Sequence, residues 1–168
     1  RDRNPINPYG NAKLEDEYLV EKYSKLNTEI IGLRYFNIFG KGQTLEYAGV
    51  ITKFLDRIKE GKPPIIFGSG SQIRDFIHVS DVAKANLMAM NSNSTNLLVN
   101  IGGGTAISIL ELAKMMIDIA GLKMEPIFTD AHEGDIEKSH ADISQAKKYF
   151  DWEPKIKLQD WLTEILKK

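Results

Sequence analysis

One run of residues, Glu29 to Phe39, most constrains how this chain can fold. The run reads EIIGLRYFNIF, is almost continuously apolar, and is rich in residues that favour β-structure. Strands that are buried on both faces have this appearance, and they occur in parallel sheets covered by helices. Gly40-Lys41-Gly42 follows and ends the strand. The run therefore predicts one strand of a parallel sheet in an α/β protein.

Helical and strand-like segments alternate along the rest of the chain. A helix is predicted from Tyr9 to Leu26, with one apolar stripe formed by Ala12, Leu19, Tyr23 and Leu26. Ser80 is expected to cap a later helix, and Ser108 and Glu111 have the spacing of a capping box. Further helices are predicted near 48–60, 81–90, 109–120, 143–150 and 158–166, and strands near 65–67, 75–79, 97–101 and 125–128. This alternation predicts an α/β fold.

Composition excludes several classes of protein. The 168 residues carry a formal net charge of −1, which gives no electrostatic reason to expect nucleic acid or a membrane surface as a partner. The absence of cysteine excludes disulfides and thiolate chemistry. No apolar run is long enough for a membrane span or a secretory signal, so we expect a cytoplasmic protein. The polar start at Arg1, without an initiator methionine, suggests a fragment of a longer protein.

Tyr9 and Lys13 form a Tyr-x-x-x-Lys pair at the start of the first helix. The i, i+4 spacing places both side chains on one helix face. A phenol is a poor base at neutral pH, and a neighbouring ammonium favours its ionised form. Tyr18 and Lys22 repeat the pattern nine residues later, so at least one of the two pairs is incidental.

Longer motifs favour the first pair. Pro8-Tyr9-Gly10-Asn11-Ala12-Lys13, followed by LRYFNIFG at 33–40, resembles the extended short-chain dehydrogenases/reductases, and within them the nucleotide-sugar epimerases and dehydratases. The likeness continues through GSGSQIRDFIHVSDV at 68–82 and NIGGG at 100–104. It ends with Glu133-Gly134-Asp135, ADISQAK at 141–147 and Trp152-Glu153-Pro154. These motifs stand in family order over nearly the whole chain.

The resemblance implies the C-terminal part of a Rossmann-type parallel sheet and a small α/β substrate-binding domain. The NAD-binding Gly-x-x-Gly-x-x-Gly loop and the catalytic Ser or Thr of the family would lie upstream of Tyr9. The glycines at 68–70 and 102–104 are interpreted as turns. Residues 1–48 would end the nucleotide-binding domain. Residues 49–168 would form mainly the substrate-binding domain, with a strand near 97–101 returning to the first sheet.

The resemblance also assigns roles at the cofactor. Tyr9 would be the catalytic acid or base at the sugar 4-hydroxyl, and Lys13 would bind the nicotinamide ribose. Tyr35 would also contact the cofactor. Hydride would pass from sugar C4 to NAD and return to the other face of a rotated 4-keto sugar, which regenerates NAD in each turnover.

The same resemblance assigns a set of substrate residues. Arg74 would bind the diphosphate, with a surface ion pair to Asp75 as the alternative. Asn37 would contact the diphosphate or sugar, unless it is a strand-end turn residue. The remaining positions are Phe67 against the base, Asp135 near the ribose, Val50 in the substrate site, His132 where many members carry a phosphate-binding arginine, and Ser139 beside the sugar C2 substituent. Core packing is the alternative for Phe67, and capping is the alternative for Asp135.

His78 is interpreted as a packed histidine, and no metal site is predicted.

The resemblance therefore predicts a UDP-sugar 4-epimerase that uses NAD and forms a homodimer when complete. Two alternatives stay open. A 4,6-dehydratase or decarboxylase of the same family would need further residues upstream of Tyr9. A truncated, non-catalytic binding module would need none of this chemistry. The small Ser139 side chain leaves room for an N-acetyl group on the sugar.

Overall fold

The computed structural model describes residues 5–26, 28–43, 49–131 and 134–167. These residues form six helices and seven strands. In chain order they are α1 (Pro8–Ser24), β1 (Ile31–Tyr35), β2 (Asn37–Phe39), α2 (Val50–Lys59), β3 (Ile65–Phe67), β4 (Ile73–His78), α3 (Val79–Met90), β5 (Leu97–Ile101), β6 (Ala106–Ser108), α4 (Ile109–Ile119), β7 (Ile127–Thr129), α5 (Ser144–Phe150) and α6 (Leu158–Leu166).

The strands pair mainly in parallel. β1 runs parallel to β5, β2 to β4, and β3 to β7, while β6 runs antiparallel to β4. Parallel strands need crossover connections, and helices supply several of them here. The predicted α/β class with parallel sheets is confirmed.

The prediction of one continuous strand over Glu29–Phe39 is wrong, because the chain changes partners at Phe36. The Phe36 backbone N–H donates to the Ile101 carbonyl at 3.0 Å, at the end of β5. The next residue, Asn37, already faces Phe76 on β4. An apolar run indicates that a segment is buried, but it does not indicate which strand the segment pairs with. The change of partner at Phe36 therefore cannot be predicted from composition. The side chains of β1 are also only half-buried, or exposed at Tyr35.

Helix α1 lies on the surface. Its predicted apolar stripe is not buried: Leu19 is 48% exposed, Tyr23 is 43% exposed, and Leu26 just beyond the helix is 64% exposed. None of the residues of α1 is buried. The periodicity predicted the helix correctly, but within this chain its stripe has no core to cover.

Two apolar cores lie on either side of β4. Phe76 belongs to a core built with α2, α4 and α6, whereas its neighbour Ile77 belongs to a core built with α3, β5 and Trp152. Successive strand residues point to opposite faces, so one strand can serve both cores. Burying a large apolar side chain contributes about 1.5–3 kcal/mol. β4 is therefore held firmly, and its first residues provide a rigid base for the polar groups described below.

Helix starts agree in part with the sequence. Ser108 and Glu111 form the predicted capping box at α4. Ser80 does not cap α3. That helix begins at Val79, two residues before the predicted start at Asp81, and the His78 ring accepts the Ser80 backbone N–H at 3.2 Å. Histidine is an uncommon helix cap, whereas serine is a favoured one, so the sequence favours Ser80 over His78.

Candidate functional site

Asp75, on β4, is a buried carboxylate that contacts two loops. It is fully buried, and its two oxygens accept backbone N–H groups from Gly103 at 2.5 Å and Ala141 at 3.2 Å. Burial raises the pKa of Asp75, and the two backbone donors oppose that rise. Because it holds two separate loops against β4, Asp75 is structural. The predicted alternative in which Asp75 pairs with Arg74 is wrong.

Two glycines of the NIGGG motif are explained by this close packing. A Cβ atom on Gly103 would lie 2.3 Å from the Phe76 carbonyl oxygen. A Cβ atom on Gly102 would lie 2.4 Å from the Ala141 Cβ. Neither position can take a larger residue without moving backbone. The interpretation of these glycines as structural, not as a dinucleotide loop, agrees with this geometry.

Arg74 points the other way, toward the segment around Asp135. Its guanidinium donates to the Asp135 carboxylate and to the carbonyls of Ile73 and Ile136. The Arg74 side chain is only 13% exposed. These bonds use three of the five N–H groups of a guanidinium, so donors remain for an anion. Arginine in this setting is well suited to phosphate.

Two further predicted positions, Phe67 and Ser139, lie around the ion pair of Arg74 and Asp135. Phe67 ends β3, and its carbonyl accepts the Gln72 side-chain amide at 2.9 Å. The same amide lies 3.4 Å from the second oxygen of Asp135. The Ser139 backbone N–H donates to the Ile73 carbonyl at 3.0 Å, one residue before Arg74. The structure therefore brings Phe67, Arg74, Asp135 and Ser139 together at the start of β4.

Asn37 lies beside the same strand start. It is the first residue of β2, and its side-chain amide donates to the Asp75 backbone carbonyl at 2.9 Å. This bond links the starts of two parallel strands. Asn37 is thus bonded to the residue that follows Arg74 on β4.

Tyr9 and Lys13 lie on the exposed first turns of α1. Tyr9 is 72% exposed, and the Lys13 ammonium lies 5.8 Å from the centre of its ring. Lys13 also forms an ion pair with Asp16 at 2.8 Å. The hydrogen bond and charge of Asp16 raise the pKa of Lys13, so the ammonium stays charged at neutral pH. The alternative Tyr18 is 45% exposed, so exposure alone does not separate the two tyrosines.

Asn7 connects the start of α1 to the Asp135 segment. Its side chain accepts the Gly10 backbone N–H at 2.8 Å, which caps the helix, and donates to the Gly134 carbonyl at 3.4 Å. Sequence reasoning missed this residue. An Asn followed by Pro at a helix start is a cap signal, but its second contact is 127 residues away and leaves no local pattern.

Tyr35 and Val50, two further predicted residues, lie outside this cluster. The Tyr35 hydroxyl donates to the Asn86 side chain on α3 at 2.8 Å. Val50 begins α2 and packs against the first apolar core. His132 lies outside the described residues. His78 is buried, as expected for a packed histidine, and its ring lies edge-on to Phe39 with the ring centres 5.2 Å apart.

A second aspartate was also missed. Asp81 is fully buried and accepts the backbone N–H groups of Lys155 and Ile156 at 2.9 and 2.8 Å. The Trp152 indole N–H donates to its carbonyl at 3.1 Å. Asp81 therefore fastens the C-terminal segment to α3. An aspartate inside an otherwise apolar stretch was the available signal.

Two kinds of feature are absent from the described ranges. No group of three or more His, Cys, Asp or Glu side chains is arranged to hold a metal ion. No helix in those ranges is both long enough and apolar enough to cross a membrane.

Comparison with known proteins identifies the family of the chain. Residues 1–102 match the NAD dependent epimerase/dehydratase family. A Methanocaldococcus jannaschii relative, named for UDP-glucose 4-epimerase activity, is 39% identical over 97% of this chain and 53% of its own length. The UDP-glucuronate 4-epimerase of Thermodesulfobacterium geofontis is 32% identical over 94% of this chain and 49% of its own length.

A solved structure shows the same fold. The UDP-glucose 4-epimerase of Thermotoga maritima, determined with UDP-glucose, has a TM-score of 0.91 and 36% identity. The match covers 98% of this chain and 53% of that one. This confirms the Rossmann-type fold class, and the chain spans about half the length of the relatives it matches. The match over residues 1–102 is more than half of the 168 residues, and the chain therefore belongs to the NAD dependent epimerase/dehydratase family.

Proposed function

We propose that this chain supplies the C-terminal half of a nucleotide-sugar 4-epimerase that acts on a UDP-sugar through a transient 4-keto sugar. The observation that carries the proposal is the Asn7 side chain, which joins the start of the Tyr9 helix to the Gly134–Asp135 segment. This contact supports a single site made from the pair suited to acid–base chemistry and the cluster suited to a nucleotide. The names of the relatives support a 4-epimerase.

Tyr9 exchanges a proton with the sugar 4-hydroxyl in this proposal. Its exposed position on the first turn of α1 leaves the phenol open to a substrate. The Lys13 ammonium stabilises negative charge that develops on the phenol oxygen. Because Asp16 raises the pKa of Lys13, that ammonium keeps its charge throughout the neutral range.

The residues of α1 fit the nicotinamide end of NAD. An ammonium has three N–H donors, and Asp16 takes one of those of Lys13, so donors remain for ribose hydroxyls. Lys13 would hold that ribose, and Tyr35 is proposed on the cofactor side through the family resemblance. The chemistry supplied by bound NAD would be reversible acceptance of a hydride from sugar C4. The groups that hold its pyrophosphate are proposed to come from sequence ahead of Tyr9.

The nucleotide part of the substrate is proposed to lie at the start of β4. Arg74, with its remaining N–H donors, binds the diphosphate. Phe67, which is 37% exposed, offers a ring face to the base. Asp135 accepts from the ribose hydroxyls. Asn37, Val50, His132 and Ser139 are proposed around the diphosphate and sugar.

Further features of the whole protein are proposals of the same kind. The division at residue 48 into two domains, with β5 returning to the first sheet, agrees with the parallel pairing of β1 and β5. The exposed apolar stripe of α1 supports a homodimer. A decarboxylase is the second candidate, because the UDP-glucuronic acid decarboxylase 1 of Danio rerio is 30% identical over 97% of this chain.

One experiment tests the proposal directly. The product of the complete reading frame that contains these residues, called here the full-length protein, is purified and assayed with NAD. UDP-glucose, UDP-N-acetylglucosamine and UDP-glucuronate are the substrates. We expect 4-epimers as products. Release of CO₂ from UDP-glucuronate would establish the decarboxylase, and no turnover of any UDP-sugar would establish the non-catalytic alternative. The 168-residue chain alone is expected to be inactive.

Arg74→Ala tests the nucleotide site in the same assay. Loss of a charge-assisted bond to phosphate raises KM by at least about tenfold. Lys62→Ala is the matched control, because Lys62 is an exposed cation paired with Glu60. An unchanged KM for Arg74→Ala would make Arg74 structural.

A further inference from the structure

We propose that Gln72 is the positioning residue that aims the Asp135 carboxylate at the nucleotide ribose, and so gives the site its preference for ribose hydroxyls. The inference rests on the proposed function, since it deepens the role given there to Asp135. Gln72 lies in the turn between β3 and β4 and is half-buried.

The contacts of Gln72 distinguish it from an ordinary turn residue. One side-chain nitrogen donates to the Phe67 carbonyl at 2.9 Å and lies 3.4 Å from Asp135 Oδ2. The first bond crosses the turn and fixes the amide in place. The second brings a donor to a carboxylate 63 residues away in sequence. The Gln72 amide therefore connects the backbone of Phe67, which is proposed to contact the base, to the side chain of Asp135, which is proposed to contact the ribose.

Asp135 is held by a different partner at each oxygen. Oδ1 accepts from the Arg74 guanidinium, and Oδ2 faces Gln72. A carboxylate offers about four lone-pair sites, so two contacts leave acceptor capacity for a ligand. Arg74 alone would leave the carboxylate free to rotate about its Oδ1 contact. With Gln72 as second partner, the plane of the carboxylate is set before a ligand arrives.

This arrangement assigns separate tasks to the two side chains. Arg74 is charged and serves the diphosphate, whereas Gln72 is neutral and adds nothing to the attraction of an anion. Removing Gln72 should therefore leave diphosphate binding intact while it releases Asp135. The expected loss is confined to hydroxyl groups of the ribose.

The test compares two nucleotides on the full-length protein by calorimetric titration. The wild type is expected to bind UDP at least about tenfold more tightly than 2′,3′-dideoxy-UDP, because a hydrogen bond to a carboxylate is worth that much. Gln72→Met removes the donor at nearly constant length. It should weaken the binding of UDP by about the same tenfold factor and leave the binding of dideoxy-UDP unchanged. The preference for UDP over dideoxy-UDP would then be lost.

Matched variants complete the test. Gln72→Lys restores a donor within reach of Asp135 and should recover the preference. Gln145→Met, at an exposed glutamine of α5, should change neither nucleotide. If Gln72→Met does not fold, Gln72→Glu takes its place, since a second carboxylate repels Asp135 and should also abolish the preference.

The outcomes separate this inference from the proposed function. If the Gln72 variants weaken the binding of both nucleotides equally, or leave the preference for UDP unchanged, the inference is overturned. In either case, UDP binding by the wild type still supports the nucleotide site. A wild type that binds both nucleotides equally also overturns it. A wild type that binds neither nucleotide overturns the proposed function and this inference together.

Discussion

Arg34 on β1 donates two hydrogen bonds to the Glu17 carboxylate on α1, from Nε to Oε1 at 2.5 Å and from Nη2 to Oε2 at 2.6 Å. Two parallel bonds fix orientation as well as distance. Because none of the residues of α1 is buried, this fork is a principal attachment of the helix that carries Tyr9. The position of the candidate acid–base pair therefore depends on a polar contact more than on a core.

We predict that Arg34→Lys loosens α1, because an ammonium cannot make both bonds. The Arg34 and Glu17 side chains are 37% and 19% exposed, so solvent screens the pair and the expected loss of stability is about 1 kcal/mol. Turnover should fall while the affinity for UDP is kept, since the nucleotide cluster lies on β4. Thermal unfolding and steady-state kinetics of the full-length protein measure both effects.

Lys147→Ala is the control for Arg34→Lys. Its ion pair with Glu153 is more exposed, at 64% and 42%, and should contribute almost nothing. Equal destabilisation by the two substitutions would contradict the importance given to the fork.

Tyr9→Phe should reduce kcat of the full-length protein by about 10²–10⁴-fold, the usual contribution of a positioned acid or base. KM should change little, because the phenol oxygen meets the reacting hydroxyl and not the nucleotide. Tyr18→Phe is the matched control, since Tyr18 has the same spacing to a lysine on the same helix. A large loss of kcat in Tyr18→Phe, with little loss in Tyr9→Phe, would assign the acid–base role to Tyr18 and Lys22.

Local patterns predicted the helices well, because each helix stripe and cap lies within a few residues. The Ser108 capping box and the extents of α5 and α6 are examples. The switch of partner at Phe36 could not be predicted in this way. It depends on where β5 ends and β4 begins, at Ile101 and Ile73, and both positions are remote from Phe36 in the sequence.

The candidate site shows the same division. Motif resemblance selected Arg74 and Asp135 separately, but their ion pair joins residues 61 positions apart. Local sequence offers only the neighbouring Asp75 as an ion-pair partner for Arg74, but the Asp75 carboxylate instead holds Gly103 and Ala141. Gln72 and Asn7 have no distinctive residue chemistry, and their importance comes from contacts that only the fold creates.

His78 caps α3 only when its ring is neutral, because Nδ1 must accept the Ser80 N–H. Burial lowers the pKa of His78 below its usual 6.5; the Asp81 charge opposes this and the Lys84 charge adds to it. Between the lowered pKa and 6.5 the unfolded chain binds more protons than the folded one. Stability should therefore be complete above 6.5 and fall as the pH drops through that window.

His78→Asn tests the cap by urea unfolding of the full-length protein over that pH range. Asparagine keeps an acceptor for the Ser80 N–H and does not titrate, so the loss on acidification should be smaller by about 1 kcal/mol, the worth of a helix cap. The variant should also be less stable at neutral pH, because the ring packs edge-on to Phe39. Parallel pH profiles for wild type and variant would mean that His78 does not titrate in this range.

Ser139→Tyr should separate the substrates. Ser139 is half-buried and bonded through its backbone N–H to the Ile73 carbonyl, so a larger side chain cannot escape by moving the backbone without breaking that bond. If Ser139 borders the sugar C2 substituent, a tyrosine ring occupies the space that an N-acetyl group needs. kcat/KM for UDP-N-acetylglucosamine should then fall at least about tenfold more than kcat/KM for UDP-glucose.

Ser144→Tyr, at the exposed start of α5, is the control and should change kcat/KM for neither sugar. Equal losses on both sugars, or none, would place Ser139 away from the C2 substituent.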